Sequence, residues 1–207
     1  MLIFDLDGTL IDSNGVWVEV DKTFLARRNA PYTKEYYQGV AHTTLYKCAE
    51  FTRDYLHLEE SCEAIIAEWM DLVQDAYRHV ALKPHVREYL DRCRASGRRM
   101  VLFTACVPEH CQAALDRHGL APYFERVLYA QELGVEKNSP ASFRHAAELL
   151  GVQPRECVLF DDSLAACKAA KAAGMTVVGV ADDHFQDSRP DMRELCDQYI
   201  SGFGDLL

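Results

Sequence analysis

The chain has 207 residues, of which 49% are apolar and 26% are charged; this composition is ordinary for a globular protein with one medium domain or a core with an insertion. Its formal net charge of −10 argues against nucleic acid or an anionic membrane as the main partner. No apolar run reaches the roughly 18–20 residues of a membrane span, and no signal-type segment precedes the first acidic residues, so we expect a cytoplasmic protein.

The first predicted strand carries the most distinctive feature of the chain. The apolar segment Leu2–Phe4 is followed by Asp5 and Asp7 in a turn that contains Gly8. Residues i and i+2 of an extended segment point to the same side, so both carboxylates face one site at the carboxyl end of the strand. A cation between them, with one carboxylate as nucleophile and the other as acid/base, would use both groups. A solvated turn is the alternative for this pair alone.

The residues between Asp12 and Lys83 contain no convincing strand and are too many for a simple crossover. Apolar residues recur at helical spacing in three stretches, around 16–25, 45–56 and 65–77. We therefore predict an all-α cap over residues 15–82, inserted into a core that consists of residues 1–14 and 83–207.

After the insertion, short apolar runs alternate with amphipathic stretches, which is typical of an α/β sheet. The predicted strands are 2–5, 100–104, 126–129, 157–160 and 176–180. The predicted helices are 84–97, 108–119, 140–151 and 163–174, with a last helix over 190–199. Five strands with intervening helices predict a doubly wound parallel, Rossmann-like sheet.

Polar residues also follow the later strands of this sheet. Thr104 ends the second strand, and its hydroxyl, with the backbone N–H groups that begin at Ala105, could hold a phosphoryl oxygen. Lys137 precedes a predicted helix, where an anion could lie between the lysine and the helix N-terminus. Asp161 and Asp162 follow the fourth strand and could bind Mg²⁺ or cap the next helix. For Thr104 the alternative is an ordinary residue at a strand end, and for Lys137 it is a solvated lysine in a loop.

Four motifs thus follow one another along the chain: the segment Asp5–Leu10, Thr104, Lys137 and the segment Asp161–Ser163. Their order and spacing resemble those of the haloacid dehalogenase superfamily across essentially the whole chain. The insertion resembles the helical cap of the subgroup that contains β-phosphoglucomutase and phosphoglycolate phosphatase. The resemblance implies a sheet order of 3-2-1-4-5 with Asp5 on the central strand.

The resemblance also implies an aspartyl-phosphate mechanism. Asp5 would attack phosphorus, and Asp7 would protonate the leaving oxygen and then activate water. The implied phosphoryl-binding residues are Thr104, Ala105 and Lys137. The implied Mg²⁺ ligands are the Asp5 carboxylate, the Asp7 backbone carbonyl and Asp162, with Asp161 assisting.

Departures from the family pattern indicate the subtype. Asp7 argues against C–halogen hydrolysis, because dehalogenating members lack the second aspartate. Asn138 replaces the proline that usually follows the motif lysine. No basic residue follows Thr104, and Trp17 stands about where mutase-like members carry a cap histidine. His42 stands roughly where a cap arginine would hold a second phosphate, and it is a candidate substrate contact.

We therefore predict a Mg²⁺-dependent phosphatase of a small phosphorylated metabolite. A phosphosugar mutase of the β-phosphoglucomutase type, or a weakly active or non-catalytic binding protein with the same fold, is the alternative. The expected partner is a small metabolite, with neither nucleic acid nor a membrane, and the expected state is a monomer or weak homodimer.

Overall fold

The computed structural model describes residues 1–40 and 45–207, and the chain divides into two compact units. One unit consists of Met1–Asn14 and Val80–Leu207, and the other is Gly15–His79. His42 lies outside the described residues, so its predicted substrate contact stays a prediction. No helix in the described part of the chain is both long enough and apolar enough to cross a membrane.

The unit Gly15–His79 is built from α-helices. Phe24 and Trp69 are buried in it and pack edge to face, with 5.5 Å between their ring centroids. The second helix was not predicted, because it buries only Tyr36 and shows little apolar periodicity. The helices are α1 Val16–Arg27, α2 Lys34–Val40, α3 Leu45–Leu56 and α4 Cys62–His79.

The other unit contains a parallel sheet with the strand order β3-β2-β1-β4-β5-β6. The strands are β1 Leu2–Phe4, β2 Met100–Thr104, β3 Arg126–Tyr129, β4 Val158–Asp161, β5 Thr176–Val180 and β6 Gln198–Ile200. The strands near the centre of the sheet are almost wholly apolar, as expected for parallel strands covered on both faces.

Helices connect these strands, and their ends match local signals in the sequence. Ser139 and Ser163 cap the N-termini of two of them, and Gly119 ends another in a left-handed conformation. The helices are α5 Val86–Ala95, α6 Pro108–His118, α7 Pro140–Leu149, α8 Leu164–Ala173 and α9 Arg189–Leu195. Short 3₁₀ turns occur at Ala121–Tyr123, Pro154–Glu156, Asp183–Ser188 and Phe203–Leu206.

The core of this unit lies on both faces of the sheet. Ile3 of β1 belongs to a buried cluster that includes Phe143 of α7 and Ala170 of α8. The next residue, Phe4, points to the opposite face, where its ring stacks on Phe160 at 4.7 Å and lies 6.3 Å from Tyr89 of α5. Helices therefore cover both faces, which confirms the predicted doubly wound Rossmann-like class.

The sequence analysis is wrong about the number of strands and about the last helix. The sheet has six strands among the described residues, because β6 adds to the edge formed by β5. The helix predicted for 190–199 ends at Leu195, and Oδ2 of Asp197 then accepts a 2.9 Å hydrogen bond from the Val177 backbone N–H. A strand as short as Gln198–Ile200 shows too little alternation to be distinguished from a helix end.

Candidate active site

The adjacent strands β1 and β4 bring three buried carboxylates together at their carboxyl ends. Asp5 directly follows β1, Asp161 is the last residue of β4, and Asp162 comes next. One oxygen atom of each residue lies within 4.8 Å of the other two. The Asp5 backbone N–H donates a 2.9 Å hydrogen bond to the Phe160 carbonyl, so regular pairing between the strands continues up to the site.

Lys137 is the cation that contacts this cluster. Its ammonium group donates hydrogen bonds to Oδ1 of Asp5 and, at 2.8 Å, to Oδ2 of Asp161. The loop that carries Lys137 is held by Ser142, whose hydroxyl donates a 2.6 Å hydrogen bond to the Glu136 carbonyl. In the described part of the chain no other cationic side chain forms an ion pair with the three carboxylates. The cluster therefore carries excess negative charge.

Burial and charge crowding shift the proton affinities of the cluster. Burial raises the pKa of Asp5 well above its usual range; the charge of Lys137 opposes this shift and that of Asp161 adds to it. Burial, with the charge of Asp161, raises the pKa of Asp162 to about 7. Burial lowers the pKa of Lys137, but the charges of Asp161 and Asp5 outweigh it and raise that pKa above its ordinary value. Carboxylate oxygens held this close are the hard ligands that Mg²⁺ prefers, and a divalent cation would offset their mutual repulsion.

Asp7 lies beside the three clustered carboxylates. It lines the same cavity of about 310 Å³ as Asp5, Lys137 and Asp161. The hydroxyl of Ser13 donates a 2.6 Å hydrogen bond to Oδ1 of Asp7, which orients this carboxyl group. A second carboxyl beside a buried one is the arrangement that acid/base chemistry requires.

The turn after Asp7 requires glycine at position 8. Gly8 has φ +73°, and a Cβ there would overlap with the side chains of Asn14 and Asp162. These two side chains meet because Nδ2 of Asn14 donates a 2.7 Å hydrogen bond to Oδ2 of Asp162. Thr9 donates a 3.1 Å hydrogen bond to Oδ1 of the same carboxylate. The sequence analysis did not assign Thr9, Ser13 or Asn14 to the site. For Thr9 and Asn14 no local pattern marks the contact, because their partner Asp162 is distant in the chain.

The segment after β2 contributes Ala105 to the cavity. Thr104 is fully buried and is not among the residues that line the cavity. Its Oγ1 accepts a 2.9 Å hydrogen bond from the Cys106 backbone N–H, which shapes the turn, and its hydroxyl proton is still available for donation. Asn138 and Phe185 also line the cavity, and neither was assigned to the site from the sequence.

Comparison with known proteins gives consistent matches. A model of the haloacid dehalogenase-like hydrolases matches residues 2–180. Protein CbbY of Rhodobacter capsulatus is 31% identical over 86% of this chain and 83% of its own length. The fructose-1-phosphate phosphatase YqaB of Escherichia coli is 27% identical over 86% of this chain and 95% of its own length. The solved structure of a Thermotoga maritima protein, provisionally named a β-phosphoglucomutase, matches with a TM-score of 0.85 and 22% identity over 96% of this chain and 93% of that one.

Proposed function

The chain belongs to the haloacid dehalogenase-like hydrolase family, and we propose that it is a Mg²⁺-dependent phosphatase of a small phosphorylated metabolite. The observation that carries the proposal is the buried cluster of Asp5, Asp161 and Asp162, two of whose members share a hydrogen-bonded Lys137. The similarity to the fructose-1-phosphate phosphatase supports the phosphorylated substrate class.

In the proposed reaction Asp5 is the nucleophile and Asp7 is the acid and base. A carboxylate oxygen of Asp5 attacks phosphorus, the bond between phosphorus and the leaving oxygen breaks, and Asp7 gives that oxygen a proton. Asp7 then takes a proton from water, whose oxygen attacks phosphorus. The bond between phosphorus and Asp5 breaks, inorganic phosphate leaves, and both side chains return to their starting states.

Positive charge and backbone donors would hold the phosphoryl group during both steps. We assign this role to Lys137, to the Thr104 hydroxyl and to the Ala105 backbone N–H. Phosphoryl transfer requires mainly positioning and charge neutralisation from the protein, so a lysine already fixed between Asp5 and Asp161 suits it.

The residues of the cluster fit a divalent cation. Asp5, Asp161 and Asp162 would hold it, with the backbone carbonyl of Asp7 as a further ligand. When bound, Mg²⁺ would supply positive charge that stabilises the transferring phosphoryl group. The candidate ligands are themselves oriented by hydrogen bonds, since the Ser163 backbone N–H donates a 2.9 Å bond to Oδ1 of Asp161.

We also propose that the helical unit Gly15–His79 acts as a cap. Its place in the chain supports this role, because it is inserted directly after Asn14, which contacts Asp162. The substrate contact by His42, the cytoplasmic location and the monomeric or weakly dimeric state stay predictions.

The test is phosphate release from p-nitrophenyl phosphate and from a panel of phosphorylated metabolites, with and without Mg²⁺. Wild type is compared with Asp5→Asn and with Asp71→Asn, which makes the same charge change at an exposed position of α4. We expect release that requires both Mg²⁺ and Asp5 and that Asp71→Asn leaves unchanged. Equal release by wild type and Asp5→Asn would overturn the proposal, whereas isomerisation of a phosphosugar without phosphate release would favour the mutase alternative.

A further inference from the structure

The helical unit Gly15–His79 contains a cavity of its own, with a volume of about 320 Å³. Four of the nine described residues that line it are aromatic, namely Trp17, Tyr32, Tyr37 and Trp69. Trp17 and Tyr37 are 43% and 47% exposed, so two of these rings are accessible from solvent. An aromatic cavity with exposed rings is typical of a site that takes a small organic group.

One wall of this aromatic cavity carries the carboxylate of Asp21, a half-buried residue of α1. No cationic side chain within residues 1–40 and 45–207 forms an ion pair with it, and the neighbouring Lys22 pairs with Glu19 at 2.7 Å. The Tyr36 hydroxyl donates a hydrogen bond to Oδ1 of Asp21 at a long O–O distance of 3.5 Å. Among these described residues, the carboxylate is therefore partly desolvated without a compensating charge.

The pKa of Asp21 is raised, as expected for a partly desolvated carboxyl group. Burial raises its pKa to about 6, and the hydrogen bond from Tyr36 only partly opposes the shift. The carboxylate form would gain most from a positively charged group placed against it.

We propose that this cavity binds an organic ammonium group. Aromatic faces attract ammonium groups through their electron-rich π systems, and the Asp21 carboxylate would supply the opposite charge. An anionic group would be repelled by Asp21, and a purely apolar group would leave this carboxylate desolvated and unpaired.

The binding step can be measured directly, because Trp17 and Trp69 are the two tryptophans of the chain and both line the cavity. The full chain is titrated with choline chloride and with neohexyl alcohol, the uncharged isostere of choline, at constant ionic strength. We expect a saturable change in tryptophan fluorescence with choline and binding of the alcohol weaker by about 10-fold or more. Equal binding of the two compounds, or no saturable change with choline, would overturn the proposal.

A pair of variants tests the role of the carboxylate. Asp21→Asn is expected to weaken choline binding by about 10-fold, whereas Asp71→Asn, exposed on α4, leaves it unchanged. If Asp21→Asn binds choline as tightly as wild type, Asp21 is not the recognition group. The comparison of choline with neohexyl alcohol uses only the wild-type chain. It therefore tests the proposal even if Asp21→Asn does not fold.

Discussion

The side-chain amide of Asn14 donates a 2.7 Å hydrogen bond to Oδ2 of Asp162, although 148 positions separate the two residues in the chain. Thr9 holds the other oxygen of the same carboxylate at 3.1 Å. The segment that follows β1 therefore orients a carboxylate that follows β4. This relationship makes Asn14 a positioning residue for a candidate metal ligand.

Asn14→Ala is expected to raise the Mg²⁺ concentration that gives half-maximal activity by about 10-fold or more, because a ligand carboxylate would lose its orienting hydrogen bond. The measurement is p-nitrophenyl phosphate hydrolysis as a function of Mg²⁺ concentration. Gln112→Ala, exposed on α6, is the control and should match wild type. A Mg²⁺ dependence identical to that of wild type would show that Asn14 does not position Asp162.

Lys137→Met is expected to lower kcat by roughly 100-fold or more, since it removes the charged donor that would hold the phosphoryl group. The variant should also unfold more easily in the absence of Mg²⁺, by about 3–5 kcal/mol, because Asp5 and Asp161 lose their buried partner. Steady-state kinetics and denaturant unfolding measure the two effects. Lys168→Met, at an exposed position of α8, is the control. Retention of near wild-type kcat in Lys137→Met would exclude the proposed role.

A comparison of Gly8→Ala with Gly151→Ala separates the cost of backbone strain from the cost of disrupting the site. Gly8 and Gly151 both have positive φ, at +73° and +67°, but only at Gly8 would a Cβ overlap with neighbouring atoms, those of Asn14 and Asp162. We expect Gly151→Ala to cost about 1 kcal/mol of unfolding free energy with activity retained. Gly8→Ala should in addition lose most of its Mg²⁺-dependent activity, measured with p-nitrophenyl phosphate. Similar activity in the two variants would show that the close packing at Gly8 is dispensable.

Asp21 gives a prediction for the pH dependence of stability. Its folded-state pKa is raised to about 6 from an ordinary value of 3.8. Between these values the unfolded chain releases the proton while the folded chain keeps it, so this group lowers the free energy of unfolding as the pH rises from about 4 to about 6. Asp21→Asn removes this loss, and the variant should be more stable than wild type at pH 8 by roughly 1–2 kcal/mol, after allowance for the partial exposure of Asp21.

Denaturant unfolding followed by tryptophan fluorescence at pH 4 and pH 8 measures this difference. The advantage of the Asn variant over wild type should grow between the two pH values, whereas Asp71→Asn should show no comparable growth. An advantage of the same size at both values would mean that the Asp21 pKa is not raised by folding.

Local signals along the chain were sufficient to predict the class of the fold and the positions of the polar residues that follow the strands. Apolar runs such as Met100–Thr104 and Thr176–Val180 become strands with the predicted bounds, because burial on both faces requires apolar residues at every position of a central strand. Asp5, Asp161 and Lys137 could be expected to meet, because the carboxyl ends of parallel strands share one edge of the sheet. These signals are local, and each can be identified within a few residues.

Contacts that depend on the exact packing of distant segments could not be predicted in this way and are seen only in the folded chain. The hydrogen bond from Asn14 to Asp162, the complete burial of Thr104 and the placement of Asp21 in an aromatic cavity have no local signature. The strand β6 was also not predicted, because three residues at a sheet edge form a strand only when β5 lies beside them. Hydrophobic periodicity in the sequence predicts whether a side chain is buried. Which side chain it contacts depends on how separate helices and strands pack in three dimensions.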